Sequence, residues 1–560
     1  MNWIYRKIKR SIPKLLIMTG CGLLSAYLGV AFALQSRKVI DFATAGAAED
    51  AIRACILLLV NVLCSGGASL LEQHLRELLQ ADMDCSLKRD VIHSVLYADF
   101  GSITKYHSGE LVNRLNVDVR TFVTGLVSII PQTIILVFRI VFSAIVLSRM
   151  AGWLSICLMG ATFIIVCAIF VIKRRMTRLN KNVSEAAGKV GGTLQEITEK
   201  LLAIKGLNVE VEVEKRADAG LEIYRTNQLK RKNTNLVMSA GMHLISAAVT
   251  VGALAWSSIL LLNGQITFGG LTAVTSLASQ VSYPIISMPS MIPQLMAIIA
   301  SGERLTEILQ VRQEKRKAKQ RKVELDARKG FEGIRFSNVS FAYETERDLV
   351  LDDVSFEIGK GGLAAVVGSS GVGKSTILKL ILGIYQPLRG EVTIKTNGES
   401  QRASEETRRY FAYAPQGNLL MSGTIRDNIL LANPSATEDE LKEALYAGCM
   451  DECVSSLPNG MDTYLGENGG GLSEGQIQRL SLVRAVISGA PVLLLDEITS
   501  ALDAETEQTV LKRIAEMNRT CIVVTHRMGV LDFATEKLIV EKNRVIRSMN
   551  NPDSIPTTRH

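Results

Sequence analysis

The sequence predicts two unlike halves, an α-helical domain of six membrane spans followed by an α/β domain on a mostly parallel sheet. Three observations carry this. Hydrophobic residues fill 47% of 560 positions although 21% are charged, and the apolar runs concentrate before residue 300. Lysine and arginine gather between alternate runs. From Phe331, short β-rich runs alternate with helical stretches, as in "GLAAVVG", "PVLLLDE" and "CIVVTH".

Six apolar stretches, near 14–36, 51–71, 127–148, 152–172, 237–263 and 271–299, are each long enough for a helical span. The first is too long for the apolar region of a cleavable signal and stays as a span. The segment "RKIKRSIPK" holds five Lys and Arg, 72–126 six and 173–236 fourteen, whereas the loops between the other spans hold two or fewer. Both termini are therefore expected in the cytoplasm. The net charge of +8 follows the same asymmetry, so a nucleic-acid partner is not expected. The nine cysteines include no CxxC pair and lie mostly in apolar runs, so neither a disulfide framework nor a zinc site is expected. Cys449 and Cys453 stand four apart on an expected helix with no further ligands.

The chemistry is written after residue 331. "GSSGVGKST", 368–376, matches GxxxxGK[ST] between an apolar strand and a helical pattern, the context in which backbone N–H groups wrap phosphates at a helix N-terminus. The run Gly368, Ser369, Ser370, Gly371, Val372, Gly373, Lys374, Ser375 and Thr376 is assigned to this cradle. Lys374 supplies charge to the β- and γ-phosphates, and Ser375 a hydroxyl to Mg²⁺. In "VLLLDE" a buried strand delivers Asp496 as a second Mg²⁺ ligand and Glu497 to polarise the attacking water.

The order "FAY", "GSSGVGKST", "YAPQ", "GLSEGQIQR", "LLLDEITSALD" and "VTHR" resembles the nucleotide-binding domain of ATP-binding cassette (ABC) proteins over 331–548. With six preceding spans, the chain resembles an exporter-type half-transporter: a transmembrane domain over 1–310, a basic linker over 311–330, an ABC-type P-loop ATPase over 331–548 and a tail over 549–560. The resemblance implies ATP hydrolysis with ATP and Mg²⁺, driving an amphipathic or hydrophobic cargo (drug-like compound, lipid or peptide) across the cytoplasmic membrane. An ATP-gated channel or sensor on the same fold is the alternative. Carried over by position, Tyr343 stacks on adenine. Gln416 approaches Mg²⁺, and His526 reaches the γ-phosphate. Ser473, Gly475 and Gln476 of the signature loop meet the γ-phosphate held by another nucleotide-binding domain, and Asp503 lies along that seam. One phosphate loop and one signature per chain imply a partner half-transporter arranged head to tail, in the first instance a second copy, with a related chain as the alternative. Glu474 departs from the commonest pattern, which has glycine there, and is expected to point to solvent. The stretch "YHSGELVNRLNVDV", 106–119, resembles the first intracellular contact with the nucleotide-binding domain, and a second is expected near Leu207 to Ala217.

For cargo, Arg139 lies near the middle of the third span, where a guanidinium is costly unless it meets a cavity, an acid or an anionic ligand. It is the cargo candidate, with an ion pair between helices as the alternative. The sixth span holds Pro284, Pro289 and Pro293 with Met288, Met291 and Met296, which suits either a deformable cavity wall or plain packing.

Overall fold

A computed structural model describes residues 2–314, 330–343, 348–417, 420–466 and 469–549, without the side chains of 2–10, 153–174, 283–290, 292 and 549. Most of the expected linker (315–329), the tail from 550, and the side chains of Pro284, Met288 and Pro289 lie outside the described residues. The chain divides into two compact units, Met1–Leu96 with Tyr106–Gln310, and Tyr97–Lys105 with Val311–His560.

The first unit is built from α1 (Asn2–Thr44), α2 (Ala48–Leu96), α3 (Ser108–Ala151), α4 (Trp153–Glu199), α5 (Glu210–Leu262) and α6 (Phe268–Leu309). At about 1.5 Å per residue each exceeds ~60 Å, twice a hydrocarbon core of about 30 Å, so each continues into water. Among the described residues, α1, α2, α3 and α5 carry windows long and apolar enough to cross a membrane. Only 11–22% of each window is buried within the chain, which leaves leucines such as Leu57, Leu63 and Leu70 for lipid or another chain to cover. Gly152, at φ +44, ends α3 and opens α4.

Two π turns interrupt α3, at Arg114–Asp118 and Gly125–Ile129. A π turn inserts one extra residue and re-aims the side chains around it. Here Asp118, 1% exposed, receives Arg304 Nε at 2.8 Å, Arg304 Nη2 at 2.5 Å and Ser301 Oγ at 2.9 Å. Arg114 donates to Glu110 (2.6 Å), Glu307 (2.9 Å) and the Arg304 carbonyl (2.6 Å), with its guanidinium over the Tyr106 ring. At Gly125 any side chain would run into Ile298. The stretch 106–119, expected as a docking element, is thus tied to α6 within the first unit. Residues Tyr97–Lys105, just ahead of it, belong to the second unit. At the other end of α6, Asp41 accepts from the Gly269 N–H (3.0 Å) and Gln280 donates to the Gly29 carbonyl (2.8 Å), which joins α6 to α1.

The second unit holds a four-stranded and a six-stranded sheet, besides a two-stranded pairing of Gly423–Thr424 with Tyr464–Leu465. β1 (Phe331–Phe341), β2 (Leu351–Gly359), β4 (Arg389–Thr396) and β5 (Glu399–Arg402) form an antiparallel sheet in the order β2-β1-β4-β5, which adds to the expected mostly parallel one. β3 (Leu363–Gly368), β6 (Phe411–Ala414), β7 (Val492–Asp496), β8 (Thr520–Thr525), β9 (Glu536–Glu541) and β10 (Arg544–Met549) form a six-stranded sheet, order β10-β9-β3-β8-β7-β6. Only the β9–β10 pair is antiparallel. The apolar runs are continuous because both faces are covered. Val492 and Leu494 enter one core with Ile377, while Leu493 and Leu495 enter another with Leu482. Three helices flank this sheet: α7 (Lys374–Ile381), α8 (Glu474–Ile487) and α9 (Ala504–Glu516). Cys449 and Cys453 do not share a helix, because Cys449 sits at φ +52 between the helices Glu438–Ala447 and Asp451–Ser456. Its carbonyl instead accepts from Arg479 at 2.7 Å.

Arg304→Ala would strand the buried Asp118 carboxylate. We expect it to cost about 2–4 kcal/mol, seen as a lower thermal midpoint of the detergent-solubilised protein, with Arg304→Lys recovering part of the loss. An unchanged midpoint would mean that the pair holds nothing together.

Candidate active site

Parallel strands end together, and register sets what meets there. Thr525 of β8 pairs with Val367 of β3, Val524 with Asp496 of β7, and Leu495 with Ala414 of β6. The next residues along these strands are Gly368, His526, Glu497 and Pro415, so four strands unload their side chains at one sheet edge.

Gly368, Gly371 and Gly373 all have positive φ. At Gly368 a Cβ would strike the Val540 carbonyl, and at Gly373 one would lie 2.8 Å from Val350, so bulkier residues cannot trace this turn. Ser369, Ser370 and Val372 fill the loop. α7 then opens with Lys374, whose ammonium donates to the carbonyls of Gly368 (2.9 Å) and Ser369 (2.8 Å) and is 5% exposed. The loop thereby holds a cation at the N-terminus of a helix, the arrangement that binds phosphate.

Ser375 Oγ donates to Asp496 Oδ1 at 3.0 Å, and Tyr413 Oη donates to Oδ2 at 3.1 Å. Asp496 is 2% exposed, and burial pushes its carboxyl above the ordinary carboxylate range against the pull of those two hydroxyls. Burial and the Asp496 charge push the Tyr413 phenol up as well, so it remains a donor. A buried carboxylate beside a serine hydroxyl is an all-oxygen set suited to Mg²⁺, which would supply charge neutralisation at the phosphates when bound.

Glu497 follows at φ +52, its N–H donating to the Val524 carbonyl at 2.9 Å. That left-handed step turns its carboxylate out of the strand line. There it accepts from Gln416 Nε2 at 2.6 Å and lies 3.7 Å from His526 Nδ1. The three expected catalytic side chains therefore meet on one carboxylate. Tyr343 hydrogen-bonds through its hydroxyl to Thr376 (2.9 Å) and packs edge-on against Tyr385 and Phe341, which fixes its ring beside the phosphate loop. Phe100, from the short helical turn Phe100–Ile103, packs edge-on against the same Tyr385.

The signature turn is assembled separately. Ser473 caps α8, its Oγ accepting from the Gln476 N–H (3.3 Å) while the Gln476 side chain accepts from the Ser473 N–H (2.8 Å). Gly475 packs on the segment after β7, where a Cβ would lie 2.9 Å from the Ala501 carbonyl. Glu474 is exposed, as expected; Glu467 and Asn468 lie outside the described residues. Asp503 caps α9 by accepting from the Thr506 N–H (2.9 Å), and that bond holds its carboxyl below the ordinary range. Among the described residues no hydrogen bond joins Ser473, Gly475 or Gln476 to the phosphate loop of the same chain.

Three residues escaped the sequence reading. Tyr413 stands in the quoted "YAPQ" and Arg527 in "VTHR", but nothing in either motif says what they touch. Buried Gln478 donates to Ser500 (3.0 Å) and accepts from the Ala501 N–H (3.1 Å). Arg527 donates to Ser500, Leu502 and Glu507, so the stretch after Glu497 is tied to the signature helix through Gln478 and to α9 through Arg527.

A phosphate cradle, a buried oxygen pair and a polarising glutamate define a P-loop ATPase site. The family described as ABC transporter transmembrane region matches residues 15–285, and the family described as ABC transporter matches residues 351–500. The chain belongs to the ABC transporters, as a transmembrane region fused to an ATPase coupled to transport. Relatives include the ATP-dependent lipid A-core flippase of Haemophilus ducreyi, 28% identical over 90% of this chain and 86% of that one. The alpha-hemolysin translocation ATP-binding protein of Escherichia coli is 27% identical over 87% of this chain and 68% of its own length. A putative multidrug export ATP-binding/permease protein of Bacillus subtilis is 30% identical over 68% of this chain and 65% of its own. A solved bacterial Atm1-family ABC exporter with ATP bound shares the fold at a TM-score of 0.82, with 22% identity, covering 97% of this chain and 95% of that one.

Tyr413→Phe should remove one of the two hydroxyls on Asp496. At about 1–2 kcal/mol, the expected outcome is a half-saturating Mg²⁺ concentration for ATPase raised roughly five- to thirty-fold, measured by Mg²⁺ titration at saturating ATP. An unaltered requirement would place Tyr413 outside the metal chemistry.

Proposed function

We propose that this chain is an exporter half-transporter which, as a symmetric dimer, hydrolyses ATP to move an amphipathic cargo outward across the cytoplasmic membrane, with six spans per chain and both termini in the cytoplasm. The observation that carries it is the split of the nucleotide machinery. Cradle, oxygen pair and glutamate converge at one sheet edge, while the Ser473 turn stands exposed on its own capping box. A donor set at a helix N-terminus that bonds to no phosphate-loop residue among the described residues suits the γ-phosphate of a second copy.

In that arrangement Lys374 and the loop N–H groups hold the β- and γ-phosphates, and Tyr343 stacks the base. Ser375, Asp496 and Gln416 are the candidate Mg²⁺ ligands. Glu497 polarises a water that attacks the γ-phosphorus, the bond to the β-phosphate oxygen breaks, and ADP and phosphate leave. Gln416 and His526, both on the Glu497 carboxylate, position it and report whether the γ-phosphate is present. Closing two sandwiches favours one state of the spans and product release the other, which is alternating access.

Two dead variants can rescue each other only if the site is shared. Lys374→Ala and Ser473→Arg are each expected to abolish ATPase. Co-assembled one to one, the mixed dimers contain one intact sandwich, and about a quarter of wild-type turnover should return. No recovery, despite proven co-assembly, would show that the site lies within one chain. Separately, Glu497→Gln should retain ATP with turnover cut by at least about a hundredfold, read by nucleotide trapping.

A further inference from the structure

Arg139 points to the charge of the cargo, a step that rests on the exporter reading. Within the stretch Ile130–Ala151 of α3, it lies about 13 Å from the first residue and about 18 Å from the last, counting ~1.5 Å per residue. It therefore stands near the middle of the apolar stretch 127–148. Ile134, Val137, Val141 and Ile145 on the same helix are each 46–52% exposed and form its outer face. At ~100° per residue Arg139 falls on the opposite side, on a stripe with buried Ile135 and Ser143. The guanidinium is turned away from lipid.

An interior Arg requires a counter-charge, and the acid near this depth, Glu72, which lies beside Gly22 and Ile135, is already paired with Arg76 at 2.6 Å. The six apolar stretches themselves contain no Asp or Glu. Among the described residues nothing hydrogen-bonds or ion-pairs with Arg139, and Ser143 Oγ, one turn along the stripe, is fully buried and equally without a partner. Several arginines of the unit are paired with acids: Arg114 with Glu110 and Glu307, Arg304 with Asp118, Arg76 with Glu72 and Arg37 with Asp41. Beside Arg139 the rings of Phe138 and Phe142 stack at 5.6 Å, and Tyr27 adds a third ring 5.4 Å from Phe142. A lone cation next to an aromatic wall matches an amphipath with an anionic head and an apolar body.

The geometry points to anionic amphipaths as the cargo, with Arg139 pairing the anionic group and cationic compounds excluded by the same charge. A membrane phospholipid or a soluble organic anion would supply this chemistry equally, and the probes separate them. The full-length chain in phosphatidylcholine nanodiscs is assayed for ATPase, each variant against its own unstimulated rate. The probes are lysophosphatidylglycerol, taurocholate, lysophosphatidylcholine and ethidium. At least one anionic probe is expected to act at about tenfold lower concentration than lysophosphatidylcholine, with no stimulation by ethidium. Arg139→Gln should shrink that preference to about twofold or less, and Arg139→Lys should keep most of it. Action of the lysophospholipid alone assigns the anion to lipid, and action of taurocholate alone to a soluble compound; both support the inference. Stimulation by ethidium, or an anionic preference that survives Arg139→Gln, overturns it while leaving export standing. ATP turnover with neither stimulation nor accumulation of any probe in inverted vesicles removes the exporter reading, and this inference with it.

Discussion

The ATPase unit depends on one buried carboxylate. β7 is covered on both faces along all five residues, so its chemistry can leave only at its end. Asp496 is the last strand residue, and burial there is tolerable because Ser375 and Tyr413 each give it a hydroxyl. Those bonds bind the phosphate-loop helix, through Ser375, to the strand β6, through Tyr413. Glu497 then inherits its position, because a left-handed residue directly after a fixed strand end has little freedom left. Strand register sets where the cradle and the glutamate emerge, and the Asp496 clamp ties the phosphate-loop helix to that frame.

Much of this site is legible in the sequence because its determinants are local. A phosphate loop needs glycines at positions where φ is positive, and an apolar run ending in Asp-Glu can only be a strand reaching an edge. Motif order and resemblance imply separate roles for Gln416, Glu497 and His526, but their meeting on one carboxylate is set by strand register, which periodicity does not reveal. The roles of Tyr413, Gln478 and Arg527 depend on side chains that meet across loops, and no spacing rule encodes such meetings. The antiparallel sheet was hidden for a similar reason, as β1 pairs with both β2 and β4 across bulges that break simple alternation.

In the membrane unit, the apolar runs gave the helices, but their cytoplasmic ends were harder to read. Arg114 looks like an ordinary solvated charge in "GELVNRLNVDV", yet its acceptors include a carbonyl 190 residues away and its side chain is 5% exposed. The two π turns explain how this happens. Each shifts the face of α3 by a fraction of a turn, bringing Arg114 and Asp118 against the end of α6 and Gly125 against Ile298. Positions displaced in this way fall off the 3.6-residue pattern, so the ties of 106–119 to α6 could not be read from spacing.

Two kinds of charge therefore coexist in that unit, and they differ in what they can do. The pairs at the helix ends are complete within the chain: Asp118 and Arg304 satisfy each other whether or not anything is bound, and their work is to keep α3 and α6 together. A rigid α3–α6 pair is useful to a transporter only if something between the spans responds to cargo, and completed pairs cannot respond. Arg139 differs because no described acid pairs with it, and the carboxylate near its level, Glu72, is held by Arg76. Any ligand that relieves the electrostatic cost of that charge better in one arrangement of the helices than in another shifts the balance between them.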